Sequence, residues 1–77
     1  MNTIKDTLDF ILKSIVPKDT KVTIEERQEE GITVFEISAP AEVTGRIIGK
    51  EGKIIKSIRN ILNLAFPQTR FILKIKD

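Results

Sequence analysis

A two-layer α+β fold, with helices on one face of a three-stranded mixed sheet, is what this sequence predicts. Three features carry that reading. Hydrophobic spacing alternates between the 3.6-residue period of helices and the two-residue period of strands, in the order α-β-β-α-α-β. The first two strand patterns are separated by a short glycine turn, which makes them a hairpin. The second and third are separated by a helical crossover, which makes them parallel and right-handed in connection.

Asn2 or Thr3 can cap a first helix whose apolar residues fall at Ile4, Leu8, Ile11, Leu12 and Ile15, with Pro17 marking its end. Lys21 to about Arg27 reads as a strand, with Val22 and Ile24 in alternation and a charged second half. Glu29-Glu30-Gly31 is the turn. Ile32 to Ala39 is the strongest strand signal, with Phe35 and Ile37 on one face and Val34 on the other. Pro40 opens a short helix through about Ile48, since proline is tolerated in a first turn. Gly49 to Gly52 interrupts the helical pattern. A second helix then runs from Lys53 to about Ala65, expected to bury Ile54, Ile58, Ile61 and Ala65 together with Ile55 and Leu62. Lys53, Lys56 and Arg59 recur every three residues along a neighbouring face. After the connection Pro67-Gln68-Thr69, a last strand from Arg70 to Lys76 turns Phe71, Leu73 and Ile75 inward and Ile72, Lys74 and Lys76 outward.

At 77 residues the chain, 1–77, is expected to form a single domain. A domain of this size buries roughly 60% of the surface its unfolded chain exposes, so modest stability and help from self-association are expected. The composition, 40% hydrophobic and 31% charged, is that of a soluble globular protein. There is no cysteine, hence no disulfide framework and no thiolate metal site, which suits a reducing, cytoplasmic interior. Asp6 and Asp9 within the first apolar pattern fit neither a signal nor a transit peptide, and no apolar run has the length of a membrane span. The net charge of +2 hides a split. Residues 1–44 carry five basic and nine acidic side chains, whereas residues 45–77 carry eight basic and two acidic ones. One anion-attracting face and one repelling face are therefore expected.

Catalysis has little to work with. Histidine and cysteine are both absent, so the usual near-neutral acid–base group and the best nucleophile are missing. Glu25/Glu26 and Glu29/Glu30 are adjacent residues, which a strand points to opposite faces. No hard-cation loop of the D-x-D-x-D-G kind exists. Neither an enzyme nor a cofactor is expected.

The segment Gly45-Arg46-Ile47-Ile48-Gly49-Lys50-Glu51-Gly52-Lys53-Ile54-Ile55-Lys56-Ser57-Ile58-Arg59 carries the functional signal. Its glycines allow close backbone approach, its aliphatics fix the flanks to a core, and five basic side chains supply a positive field. The spacing argues against nucleotide loops. A Walker loop needs G-x-x-x-x-G-K-[ST], but Gly45 and Gly49 have three residues between them and Glu51 follows Lys50. A dinucleotide fingerprint needs G-x-G-x-x-G directly after a strand. What remains is helix–Gly-x-x-Gly–helix, with Lys50 at the tip and the amides of the second helix unpaired at its start. Backbone amides, helix dipole and Lys50 converge where a sugar–phosphate backbone could lie. The plainer alternative is a turn that only joins two packed helices.

Ile48-Gly49-Lys50-Glu51-Gly52-Lys53-Ile54-Ile55, preceded by Ile47, resembles the I-G-x-x-G-x-x-I core of KH domains, which bind single-stranded nucleic acid. The α-β-β-α-α-β order is similar to their type II, prokaryotic arrangement, and the length to the small stand-alone bacterial KH proteins. Ile54 is a departure, since threonine is commoner there. The resemblance implies a groove for about four unpaired nucleotides. Ile48, Gly49, Lys50, Glu51, Gly52 and Lys53 would form its clamp, with Arg46 adding charge beside them. Ile55, Lys56 and Arg59 would lie along the long helix, Ile55 and Ile58 belonging more to the core than to the groove, with Arg70 and Ile72 as weaker candidates on the last strand. Glu51 and the lack of Trp and Tyr imply weak, loosely selective binding. Neutralising about four phosphates implies roughly a 50-fold loss of affinity between about 50 and 200 mM salt.

Two functions follow. One is non-catalytic binding of single-stranded RNA, as an RNA chaperone or post-transcriptional regulator. The other is an interaction module, in which the resemblance implies a homodimer or a heterodimer with a larger KH-containing RNA-binding protein. A membrane partner is not expected. A third reading, a fragment of a larger ribonuclease, is disfavoured by Met1 and the full set of elements.

Overall fold

Helix α1 spans Ile4–Ile15 and starts at a reciprocal cap. The computed structural model describes residues 3–76, so the alternative cap Asn2 lies outside the described residues, as does Met1. The Asp6 amide donates to Thr3 Oγ1 at 3.1 Å, and the Thr3 amide donates to Asp6 Oδ2 at 3.3 Å. This satisfies two groups that a helix start otherwise leaves unpaired. The apolar stripe then buries Leu8 and Leu12 completely. At its other end the Val16 amide still reaches Leu12 O, after which Pro17 stops the helix.

Strand β1 is Thr23–Glu29 and β2 is Ile32–Ser38, paired antiparallel from Thr23↔Ser38 to Glu29↔Ile32. Pairing thus continues two residues past Arg27, where the sequence pattern ended. The cause is a two-residue turn: Glu30 (φ 52°) and Gly31 (φ 81°) are both left-handed, the arrangement whose twist matches a hairpin. Strand β3, Phe71–Ile75, lies parallel to β2 from Thr33↔Phe71 to Ile37↔Ile75, and the sheet order is β1-β2-β3. Two further hydrogen bonds extend this ladder, from the Thr33 amide to Arg70 O (3.0 Å) and from the Lys76 amide to Ile37 O (2.8 Å).

The crossover consists of helix α2, Ala41–Ile48, a single 3-10 turn at Lys50–Gly52, and helix α3, Lys53–Ala65. Alternation along β2 turns Phe35 and Ile37 toward the helices. There they join Leu8, Leu12, Val43, Ile47, Ile58 and Leu62 in one buried cluster. Burying such side chains contributes about 1.5–3 kcal/mol each relative to exposure, which is what holds helices to sheet in so short a chain. Phe35 and Phe71 meet edge to face at 6.3 Å between centroids.

The opposite face of the sheet has no helix. Val34 lies there yet is only 1% exposed. It sits between Arg27 and Ile72 in the pairing register, and Arg27 crosses the face to Glu36.

The burial expected of α3 needs correction. Ile58 and Leu62 are buried and Ile55 packs against the core, but Ile54, Ile61 and Ala65 are exposed. At 100° per residue, Ile55, Ile58 and Leu62 occupy one arc, and Ile54, Ile61 and Ala65 fall beyond its edge. The helix carries more aliphatic surface than one sheet and two neighbouring helices can cover.

Candidate nucleic-acid interface

The loop between α2 and α3 is built on two glycines that do different work. Gly49 closes α2, its amide donating to Gly45 O at 2.8 Å. Its backbone, φ 78° and ψ 172°, lies in a region open essentially to glycine alone. A Cβ here would also fall 2.6 Å from Ile54 Cγ1 and 2.9 Å from the Ile54 backbone nitrogen. Gly52 is left-handed (φ 71°, ψ 18°), but an added Cβ would meet only Lys56 Cε, at 3.9 Å. Gly49 is required by fit as well as by conformation, Gly52 by conformation alone.

Between them the chain makes one turn, with the Gly52 amide donating to Gly49 O at 3.1 Å and the Lys53 amide to Lys50 O. Lys50 and Glu51 are exposed at the tip. Glu51 is left-handed as well, at φ 57° and ψ 26°. No side chain caps the start of α3; its first amide, Lys53, is taken by Lys50 O, and no side-chain oxygen of the protein sits on the positive end of the dipole.

The basic candidates can be placed individually. Arg46 is exposed on α2, and Lys53, Lys56 and Arg59 are exposed on α3. None of these four, nor Lys50, enters an ion pair among the described residues. Lys53 points away from the core, and Lys56 and Arg59 step progressively round one flank of α3. Ile48 is half-buried just before the loop. Arg70 is exposed but stands apart, beyond the far end of a helix about 20 Å long. Ile72 belongs to the helix-free side of the sheet, where it lines a shallow depression with Glu29, Glu30, Ile32 and Val34. The structure therefore places Arg46, Ile48, Gly49, Lys50, Glu51, Gly52, Lys53, Lys56 and Arg59 on the loop and the two helices that flank it, and Arg70 and Ile72 at the last strand.

The other flank of α3 was not legible as a surface in the sequence. It exposes Ile54 (38%), Ile61 (50%) and Leu64 (84%). The available signal was a surplus: these aliphatics, added to Ile55, Ile58 and Leu62, spread over a wider arc than one core-facing stripe. Among the described residues, no group of three or more acidic, histidine or cysteine side chains could hold a metal ion, and no helix is long and apolar enough to cross a membrane.

A family profile described as "KhpA/KhpB, KH domain" matches residues 5–76. The chain belongs to the KhpA/KhpB KH-domain family. Its element order and mixed sheet are the type II KH arrangement. The "RNA-binding protein KhpA" of Thermotoga maritima is 40% identical over 68 residues, covering 88% of this chain and 91% of that protein. Proteins of the same description from Treponema pallidum (28% over 75 residues, 95% and 94% covered) and Chlamydia caviae (40% over 58 residues, 75% and 74%) are also similar. No solved structure matches the chain significantly.

Proposed function

We propose that this KH protein binds single-stranded RNA without catalysing a reaction, and that it acts in the cytoplasm as an RNA chaperone or post-transcriptional regulator. The observation that carries the reading is the construction of the loop. Gly49 is locked by fit, Lys50 is presented at the tip, and the uncapped start of α3 lies beside Lys53, Lys56 and Arg59. A helix start without a side-chain cap, its dipole and exposed lysines together suit a phosphodiester backbone. The relatives' description as RNA-binding proteins supports RNA as the ligand. Replacing Lys50 and Glu51 by aspartates tests it. Fluorescence anisotropy with a single-stranded RNA should show at least a tenfold loss of affinity at about 100 mM salt, where each lost phosphate contact weakens binding roughly fivefold. Unchanged affinity in a folded variant would refute the reading.

A second reading is favoured by the apolar flank of α3. Ile54, Ile61 and Leu64 form an exposed aliphatic strip on a small domain, which suits pairing with a second copy or with another KH protein. RNA binding would then be secondary, or shared with the pairing surface. Sedimentation of the wild type against Ile61→Asp tests it. A dimer that the substitution dissociates supports the pairing reading, and a wild-type monomer at high concentration opposes self-pairing.

A further inference from the structure

One side chain of the loop is used by nothing in the fold. Glu51 holds a left-handed backbone, at φ 57° and ψ 26°, where glycine or asparagine is the favoured residue. Its carboxylate makes no hydrogen bond and no ion pair among the described residues, although Lys50 and Lys53 stand nearby in the chain. It is exposed. The turn does not call for a glutamate and the core does not touch it, so what the carboxylate acts on is whatever approaches the tip.

We infer that Glu51 governs which phosphate the loop accepts and how quickly it lets go. The inference rests on the reading of the loop as a phosphate clamp. Lys50, Glu51 and Lys53 together carry one net positive charge. That matches a single internal phosphodiester, which bears one negative charge. A terminal phosphate bears nearly two near neutral pH, as a phosphorylated side chain does, and the carboxylate opposes the second. A charge some 6–8 Å from a bound anion, at an effective dielectric constant of about 40 to 80 (between a protein surface and bulk water), changes an equilibrium by a factor of roughly three to ten. Salt screens such an interaction, the Debye length being about 10 Å at 0.1 M. The loop thus selects internal links over chain ends and releases them fast, a property suited to a protein that samples many RNA segments.

The separation of charge from backbone decides the matter. Glu51→Gln removes the charge and keeps the left-handed demand, whereas Glu51→Gly removes both. Each is titrated against an eight-nucleotide single-stranded RNA with a 5′-hydroxyl and the same RNA with a 5′-phosphate, alongside Lys50→Ala and with melting curves to check folding. At about 50 mM salt, Glu51→Gln should bind the 5′-hydroxyl RNA three- to tenfold more tightly, dissociate more slowly, and gain more on the 5′-phosphate RNA. The gain should shrink as salt is raised, and Glu51→Gly should match it. Unchanged or weaker binding by Glu51→Gln, with Lys50→Ala weakened, overturns the role of Glu51 and leaves the clamp standing. Tighter binding by Glu51→Gly alone overturns it too, because the backbone and not the charge would then be responsible. No effect of Lys50→Ala overturns the clamp itself.

Discussion

The dipeptide Glu-Gly occurs twice in this chain and takes nearly the same shape both times. In the hairpin, Glu30 and Gly31 have φ of 52° and 81°; in the interhelical loop, Glu51 and Gly52 have 57° and 71°. Both glutamates are exposed. The surroundings differ in every other respect. The hairpin turn joins two strands beside Glu29, which is paired with Arg27, in the acidic half of the sequence. The loop joins two helices beside Lys50 and Lys53, ahead of a helix start that no side chain caps. The local sequence sets a left-handed pair in both places, and only the mount and its charges suit one of them to the anion contact proposed above. Gly49 is the piece with no counterpart in the hairpin.

Gly49→Ala is therefore the largest expected effect. It forces an alanine into a glycine-only backbone region and drives its Cβ to within 2.9 Å of a backbone nitrogen. Loss of about 3 kcal/mol or more is expected, enough to unfold much of a small domain. Gly31→Ala and Gly52→Ala should each lose only about 1 kcal/mol, because both sites are left-handed with room for a methyl group. Urea denaturation measures all three. If Gly49→Ala were as mild as Gly52→Ala, the loop would be a mere second copy of the hairpin turn.

The next effect concerns charge. Lys56→Ala with Arg59→Ala removes two exposed cations from the flank of α3. RNA affinity should fall about 25-fold at 0.1 M salt, and the slope of log affinity against log salt should flatten by about 1.4. The reciprocal change is sharper as a comparison. Glu29→Lys with Glu30→Lys gives the hairpin a positive field on the same backbone, but no helix start behind it. RNA affinity should rise by less than about threefold, a value set by long-range attraction alone. A larger rise would show that charge suffices without the mount.

Much of this architecture was legible from periodicity. The hairpin, the parallel third strand and the crossover all follow from where the spacing changes and where glycine and proline fall. The strand β1 boundary was missed because Gln28 and Glu29 carry no apolar signal; pairing there is imposed by the two-residue turn. Ile54 and Ile61 were assigned to the core because an aliphatic residue on a helix is usually buried, and the sequence does not say how much helix surface a three-stranded sheet can cover. The loop glycines were recognisable by motif. Their inequality was not, since it depends on where Ile54 folds back against Gly49. The left-handed Glu51 had a visible precedent in Glu30-Gly31, a repeat whose meaning emerges only with backbone angles.

The smallest expected effect is one of pH, and it belongs to the hairpin. Arg27 Nη1 donates to Glu36 Oε1 at 2.7 Å, across the two strands that the Glu30-Gly31 turn connects, and Arg27 Nε donates to Glu29 Oε2 on its own strand at 3.1 Å. The hydrogen bond from Arg27 holds the Glu36 carboxyl below its ordinary range; burial opposes it in part, and the charges of Arg27, Lys76 and Lys74 add smaller lowering contributions. A carboxyl whose folded value is depressed contributes stability that is fully present above the unfolded value. That contribution fades as the pH falls through the usual glutamate range, about 4.3, and is gone below the folded value. Both side chains are partly exposed, so the slope should be shallow. Glu36→Gln should flatten the acid limb of a stability–pH curve and leave RNA affinity at neutral pH within about twofold, since the ion pair lies on the helix-free face and touches no part of the clamp. The chain has no histidine, the side chain whose ordinary range spans neutral pH. Stability should therefore be level from about pH 5.5 to 8, and a step there would be a change that the Arg27–Glu36 pair, whose carboxyl is shifted downward, does not produce.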